Sequence, residues 1–187
     1  MRLFVALDFP AAVRERLRDL IARLKTQSGA ARWVRPEAMH VTLKFIGEAE
    51  SPRLDPLRAA LAEIRSPQPV EMQFCGLGFF PHERQPRVLW CGVEASPNLA
   101  QLAADIETSL QPLGFPAETR KFMPHLTLAR FPSSQGADQI VAAANELKSC
   151  EFGSARETEF HLIESVLKPS GAQYNRLASF AFVKEAA

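Results

Sequence analysis

A five-residue pattern occurs twice in this chain, as Met39-His40-Val41-Thr42-Leu43 and Pro124-His125-Leu126-Thr127-Leu128. Each copy sets a histidine and a threonine two residues apart inside an apolar run. That is the spacing of one face of a β-strand, because successive strand side chains point to opposite sides. Burying Val41 and Leu43, or Leu126 and Leu128, presents an imidazole and a hydroxyl on the other side. Two such strands need their apolar faces covered and their polar faces left open. Two antiparallel sheets with amphipathic helices outside and a cleft between them meet both demands.

The rest of the chain supplies those elements. Residues 2 to 9 read as a strand, and a helix begins after Pro10 with Val13, Leu17, Leu20, Ile21 and Leu24 at helical spacing. The first motif strand covers 40 to 46. Ser51-Pro52 opens a helix carrying Leu54, Leu57, Leu61 and Ile64, and strands follow at about 69 to 80 and 87 to 94. Ser96-Pro97 opens a third helix that Gly114 stops, and the second motif strand covers 125 to 131. A helix at 137 to 148 precedes two last strands, 156 to 167 and 173 to 183, joined by Lys168-Pro169-Ser170-Gly171. The second half thus repeats much of the first, with the motif histidines 85 residues apart. This predicts a duplicated α+β unit: one domain over 1–187 made of two intimately packed lobes, one motif strand in each.

Composition narrows the class. With 47% hydrophobic and 23% charged residues the chain is an ordinary globular one, and its formal charge of +1 is too small for non-specific grip on long duplex nucleic acid. A nucleic-acid substrate would be held at an end or by a few nucleotides. Cys75, Cys91 and Cys150 form no C-x-x-C pair, which points to reduced, core-filling thiols. No run is long enough to span a membrane, and Asp8 and Pro10 interrupt any signal-peptide core. A cytoplasmic monomer is expected.

Two imidazoles facing one cleft can divide into a neutral base and a protonated acid near neutral pH. The paired hydroxyls of Thr42 and Thr127 suit the non-bridging oxygens of a phosphoryl group. Each motif offers only one metal-type ligand and no carboxylate, so neither metal nor cofactor is expected. The chemistry this fits is metal-free phosphodiester cleavage with a bell-shaped pH dependence around neutrality. Strict alternation puts Lys44 on the histidine face and Phe45 on the core face. Arg130 falls on the leucine face, reaching a phosphate only through a bulge or strand end, with a surface ion pair as the alternative. His82 and His161 read as exposed, and Tyr174 either lines the cleft or caps the last hairpin.

His40-Val41-Thr42-Leu43 and His125-Leu126-Thr127-Leu128 resemble the two H-x-T-x signatures of the 2H phosphoesterase superfamily. More closely, the chain resembles the RNA 2′,3′-cyclic phosphodiesterases, or LigT-like 2′-5′ RNA ligases. The resemblance runs through Arg2 to Leu7 with Pro10, Trp33-Val34, His40 through Glu48, Phe122 through Arg130, Glu164-Ser165 and Gly171 through Tyr174. It implies a bilobal fold with pseudo-twofold symmetry, and hydrolysis of a terminal 2′,3′-cyclic phosphate to a 2′-phosphomonoester. In that scheme His40 is the proton donor to the 3′ oxygen and His125 the proton acceptor that activates water. Thr42 and Thr127 hold the phosphate oxygens, and Arg130 is the further substrate-binding candidate read from the residues themselves. Sequence alone leaves the two histidine roles interchangeable. The partners expected are RNA ends or small cyclic-phosphate nucleotides. Two alternatives stand beside hydrolysis: ATP-independent 2′-5′ ligation by the same site, and a non-catalytic module that binds RNA or nucleotide ends.

Overall fold

In the computed structural model, residues 1–168 and 171–182 are described. Pro169 and Ser170 of the last turn, and position 183 of the last expected strand, lie outside them. The chain runs β1 (Arg2–Leu7), α1 (Ala11–Lys25), β2 (Arg32–Trp33), β3 (Val41–Glu48), α2 (Leu54–Ala62), β4 (Val70–Phe80), β5 (Val88–Ala95), α3 (Asn98–Leu110), β6 (His125–Arg130), α4 (Asp138–Asn145), β7 (Glu151–Glu157), β8 (Glu159–Lys168) and β9 (Gly171–Ala181). Pro10 sits at the N-cap of α1, where its missing N–H costs nothing, and Ser51-Pro52 forms a 3-10 turn leading into α2. Three strands follow α4 rather than two. The added strand, β7, reads Glu-Phe-Gly-Ser-Ala-Arg-Glu with only Phe152 and Ala155 buried, too polar a pattern to announce itself.

Two antiparallel sheets result, one ordered β3-β1-β8-β9 and the other β2-β6-β5-β4-β7. The first contains the His40 motif and the second the His125 motif. The sheets are not the two halves of the chain. Strands β4 and β5 join the sheet of β6, while β8 and β9 join that of β1 and β3. The helices cross as well. Helix α1, which follows β1, packs on β7 of the other sheet, and α3, which follows β5, packs on β3. This exchange fastens the two sheets to each other through covalent connections and a shared apolar core.

Each sheet keeps one face for that core. Leu3, Val5 and Leu7 of β1, Val41 and Leu43 of β3, Leu89 and Cys91 of β5, and Leu126 and Leu128 of β6 all lie in it. The opposite faces, turned toward the cleft, carry Phe4, Ala6 and Ile163 in one sheet and Gly78, Trp90 and Thr127 in the other. Cys91 is buried and Cys75 only half-buried, and all three thiols are free. Among the described residues no helix is long and apolar enough to cross a membrane.

Candidate active site

Both motif strands carry the same irregularity. On β3, Thr42 pairs with Ala6 and Lys44 with Val5, leaving Leu43 as an extra residue. On β6, Thr127 pairs with Trp90 and Ala129 with Leu89, leaving Leu128 as the extra residue. Such a bulge reverses the side-chain alternation beyond it. Leu43 and Lys44 are therefore both buried, as are Leu128 and Ala129. The next residue, Phe45 on one strand and Arg130 on the other, turns out to the cleft, and Phe45 is 67% exposed. Strict alternation is thus corrected at two positions. Lys44 leaves the histidine face, and Phe45 joins it. Arg130 gains the cleft through its bulge and, among the described residues, has no ion pair.

His40 lies just before β3, half-buried, with the edges of Phe4 and Tyr174 against it at ring-centroid distances of 5.9 and 5.4 Å. Tyr174 therefore lines the cleft. Arg14 holds the segment that delivers His40. Its guanidinium donates to the carbonyls of Pro36 (2.6 Å) and Met39 (3.2 Å), lies over the Phe9 ring at 4.2 Å and pairs with Asp8. The second oxygen of Asp8 accepts from Arg176 at 3.0 Å. Burial pushes the His40 pKa down to about 4, against the opposing carboxylate of Asp8. The Ala38 carbonyl also favours its proton, yet Nδ1 is buried without a hydrogen bond of ordinary geometry.

His125 is held differently. Its Nδ1 lies 2.7 Å from the Met123 carbonyl oxygen, which can only accept, so the proton belongs on Nδ1. In the neutral ring Nε2 then carries the free lone pair. Phe80 packs edge-on against the ring at 5.0 Å and 84°. Burial lowers this pKa too; the Met123 carbonyl works against the shift and Arg130 adds to it. Strands β3 and β6 approach within 8 Å between Cα atoms, so the two histidine strands meet at the seam of the sheets.

The LigT like Phosphoesterase family model matches residues 7–90 and 92–176, one motif in each segment. The chain belongs to the LigT-like phosphoesterases. It is 34% identical over 180 residues to the RNA 2′,3′-cyclic phosphodiesterase of Archaeoglobus fulgidus, covering 96% of this chain and 99% of that one. To the RNA 2′,3′-cyclic phosphodiesterase of Methanothermobacter thermautotrophicus it is 31% identical over 181 residues, 96% of this chain and 98% of the relative. The crystal structure of TT0787 of Thermus thermophilus superimposes with a TM-score of 0.81 at 29% identity and full coverage of both chains. E. coli LigT complexed with 3′-AMP superimposes with a TM-score of 0.78 at 29% identity, covering 98% of each chain.

In this LigT-like phosphoesterase the displaced Lys44 has a structural task. Its ammonium, on a residue 4% exposed, pairs with Glu107 of α3 and donates to the Pro116 carbonyl at 2.9 Å. Glu107 also accepts from the backbone N–H of Glu118 at 3.2 Å. A buried charge on the first motif strand therefore anchors the loop that leads to His125. His161 is corrected as well. It is 1% exposed, on the cleft side of β8 opposite Ala6, with Nδ1 2.9 Å from the Ser179 hydroxyl. Burial and Arg176 lower its pKa, while Glu159 and Asp8 oppose them. His82 is exposed, as expected.

The floor of the His125 half was not legible beforehand. Trp90 pairs with Thr127 and lies against Phe80 at 5.3 Å, over Gly78. A Cβ on Gly78 would fall 2.2 Å from the indole, so this glycine makes the space the ring occupies. A glycine facing a tryptophan across a hairpin was the available signal, but reading it requires the register. Among the described residues no group of three His, Cys, Asp or Glu side chains is placed to hold a metal ion.

Proposed function

We propose that this protein hydrolyses the 2′,3′-cyclic phosphate at the end of an RNA to a 2′-phosphomonoester, as one domain of two lobes over 1–187. The observation that carries this reading is the hold of Met123 on His125, which leaves Nε2 as a free base beside Thr127 in the cleft. His125 Nε2 takes a proton from water, and the oxygen attacks phosphorus. The bond from phosphorus to the 3′ oxygen breaks, and His40 delivers a proton to that oxygen. Thr42, Thr127 and Arg130 face the same cleft and suit the charge that grows on the non-bridging oxygens. The names of the two archaeal relatives support the substrate class.

The unlike surroundings of the histidines support the division of roles. An imidazole held to a pKa of about 4 is a strong acid once charged, and the anionic phosphate supplies the reason to charge it. Unpaired cysteines fit a reducing cytoplasm. The test is a pair of single variants, His40→Ala and His125→Ala. Each is expected to lose about 10²-fold or more in kcat while still binding a non-hydrolysable cyclic-phosphate analogue. Near-normal turnover in either variant contradicts the assignment.

A further inference from the structure

Strand β2 is only two residues long, and it lays Arg32 directly opposite Arg130 in the antiparallel pair. Trp33, the next residue, pairs with the fully buried Ala129 and packs against the core. Arg32 therefore stands on the other side, on the cleft face with Arg130, and both are exposed. Two other exposed arginines are occupied: Arg120 pairs with Glu118, and Arg87 donates to the Pro132 carbonyl at 2.8 Å. Among the described residues neither Arg32 nor Arg130 has an ion pair or a side-chain hydrogen bond.

Two like charges directly opposite across a strand pair repel, with Cβ atoms only about 4.5–5.5 Å apart. An anion between or beside them relieves that repulsion, and the guanidinium fork matches a phosphate. In the proposed reaction the cyclic phosphate, with one negative charge, is met by Arg130, both threonines and two imidazoles. It leaves Arg32 without an anion. In an RNA chain the next anion is the phosphate on the 5′ side of the terminal nucleotide.

We propose that Arg32 binds that 5′ phosphate, so the site selects an RNA end, or a 5′-phosphorylated nucleotide, over a nucleoside cyclic phosphate. This rests on the cyclic phosphodiesterase reading, with Arg130 on the reacting phosphate. It also fits a net charge of +1, too small for grip on a long duplex but enough for contact with an end.

The test uses adenosine 2′,3′-cyclic phosphate with and without a 5′-phosphate. The wild-type protein should favour the 5′-phosphorylated substrate at least about tenfold in kcat/KM, mainly through KM. Added salt should shrink the ratio. In Arg32→Gln the ratio should collapse toward unity, and Arg32→Lys should restore part of it. A wild-type ratio near unity, or a ratio unchanged in Arg32→Gln, overturns the assignment. If neither substrate is turned over, the reading of the reaction fails instead. Calorimetric titration then still judges Arg32: tighter binding of the 5′-phosphorylated compound, lost in Arg32→Gln, upholds it, and equal affinities overturn it.

Discussion

Phe45 and Arg130 hold the same place on the two motif strands, each three residues past its threonine and each turned into the cleft by a one-residue bulge. One strand therefore carries an aromatic plate at this place and the other a cation. A terminal nucleotide has the same two ends, a flat base and a charged phosphate. Stacking of a base on an aromatic side chain contributes about 1–3 kcal/mol. Phe45→Ala should therefore raise KM roughly 5- to 150-fold with little change in kcat, whereas Arg130→Gln should lower kcat. Steady-state kinetics on one substrate separate the two, and equal losses of kcat would contradict the division.

The histidine environments shift the expected pH behaviour away from neutrality. Free His40 is held at about 4 by burial, and His125 also lies below its ordinary 6.5 for the same reason. Since kcat/KM reports the free enzyme, its bell should peak on the acid side of 6.5. Bound phosphate favours charged His40, so the kcat profile should lie at higher pH than that of kcat/KM. Coincident profiles centred above neutrality would contradict this account.

The same burial makes folding sensitive to acid. His40, His125 and His161 favour their neutral forms when folded, so the unfolded chain binds more protons. Their contribution is whole above 6.5 and is lost as pH falls below it, for His40 down to about 4. For His40 alone it is on the order of 3 kcal/mol. Urea unfolding should show lower stability at about pH 5 than at about pH 7.5, with a smaller difference in His161→Asn. Equal stability at the two pH values would be the contrary result.

Lys44 and Glu107 offer a separation of stability from activity. Removing one member of a buried pair strands the other charge, at a cost of about 3–5 kcal/mol. Lys44→Met should fall by roughly that much in urea unfolding. The double variant Lys44→Met/Glu107→Leu should recover much of the stability, because an apolar pair replaces an ionic one. It should not recover full kcat, since the tether to the Pro116 carbonyl is gone and the loop before His125 is released. Full recovery of both would show that the tether is not used.

Gly78→Ala tests the floor of the cleft. The added Cβ drives the Trp90 ring from its seat beside Thr127 and Phe80. Overpacking of this kind costs about 1–3 kcal/mol, and activity should fall further than the folded population does. A change in tryptophan fluorescence without loss of turnover would place Trp90 outside the working surface.

The alternation of His40 with Thr42 and of His125 with Thr127 is a local property, and the strands that carry it formed where the pattern put them. The helices were equally legible, because Leu17, Leu20, Ile21 and Leu24 repeat at helical spacing whatever they pack against. Lys44 and Phe45 were not, because a bulge is a property of two strands in register. His40 and Thr42 precede it, so their parity survived it; Lys44 and Phe45 follow it, so theirs did not. The buried state of His161 has the same origin, set by Ser179 on the adjacent strand and by Asp8 and Arg176 nearby. The exchange of hairpins between the sheets was hidden too, since the order of elements along a chain does not say which sheet a strand joins.

A short RNA ending in a 2′,3′-cyclic phosphate, incubated with the protein in EDTA, puts the two-histidine reaction to the test. Chromatography that separates 2′- from 3′-phosphate ends then identifies the product. Rapid, chelator-insensitive conversion to the 2′-phosphate is expected, lost in His40→Ala and in His125→Ala. An RNA that binds but remains cyclic, or turnover that chelator abolishes and added metal restores, would contradict it.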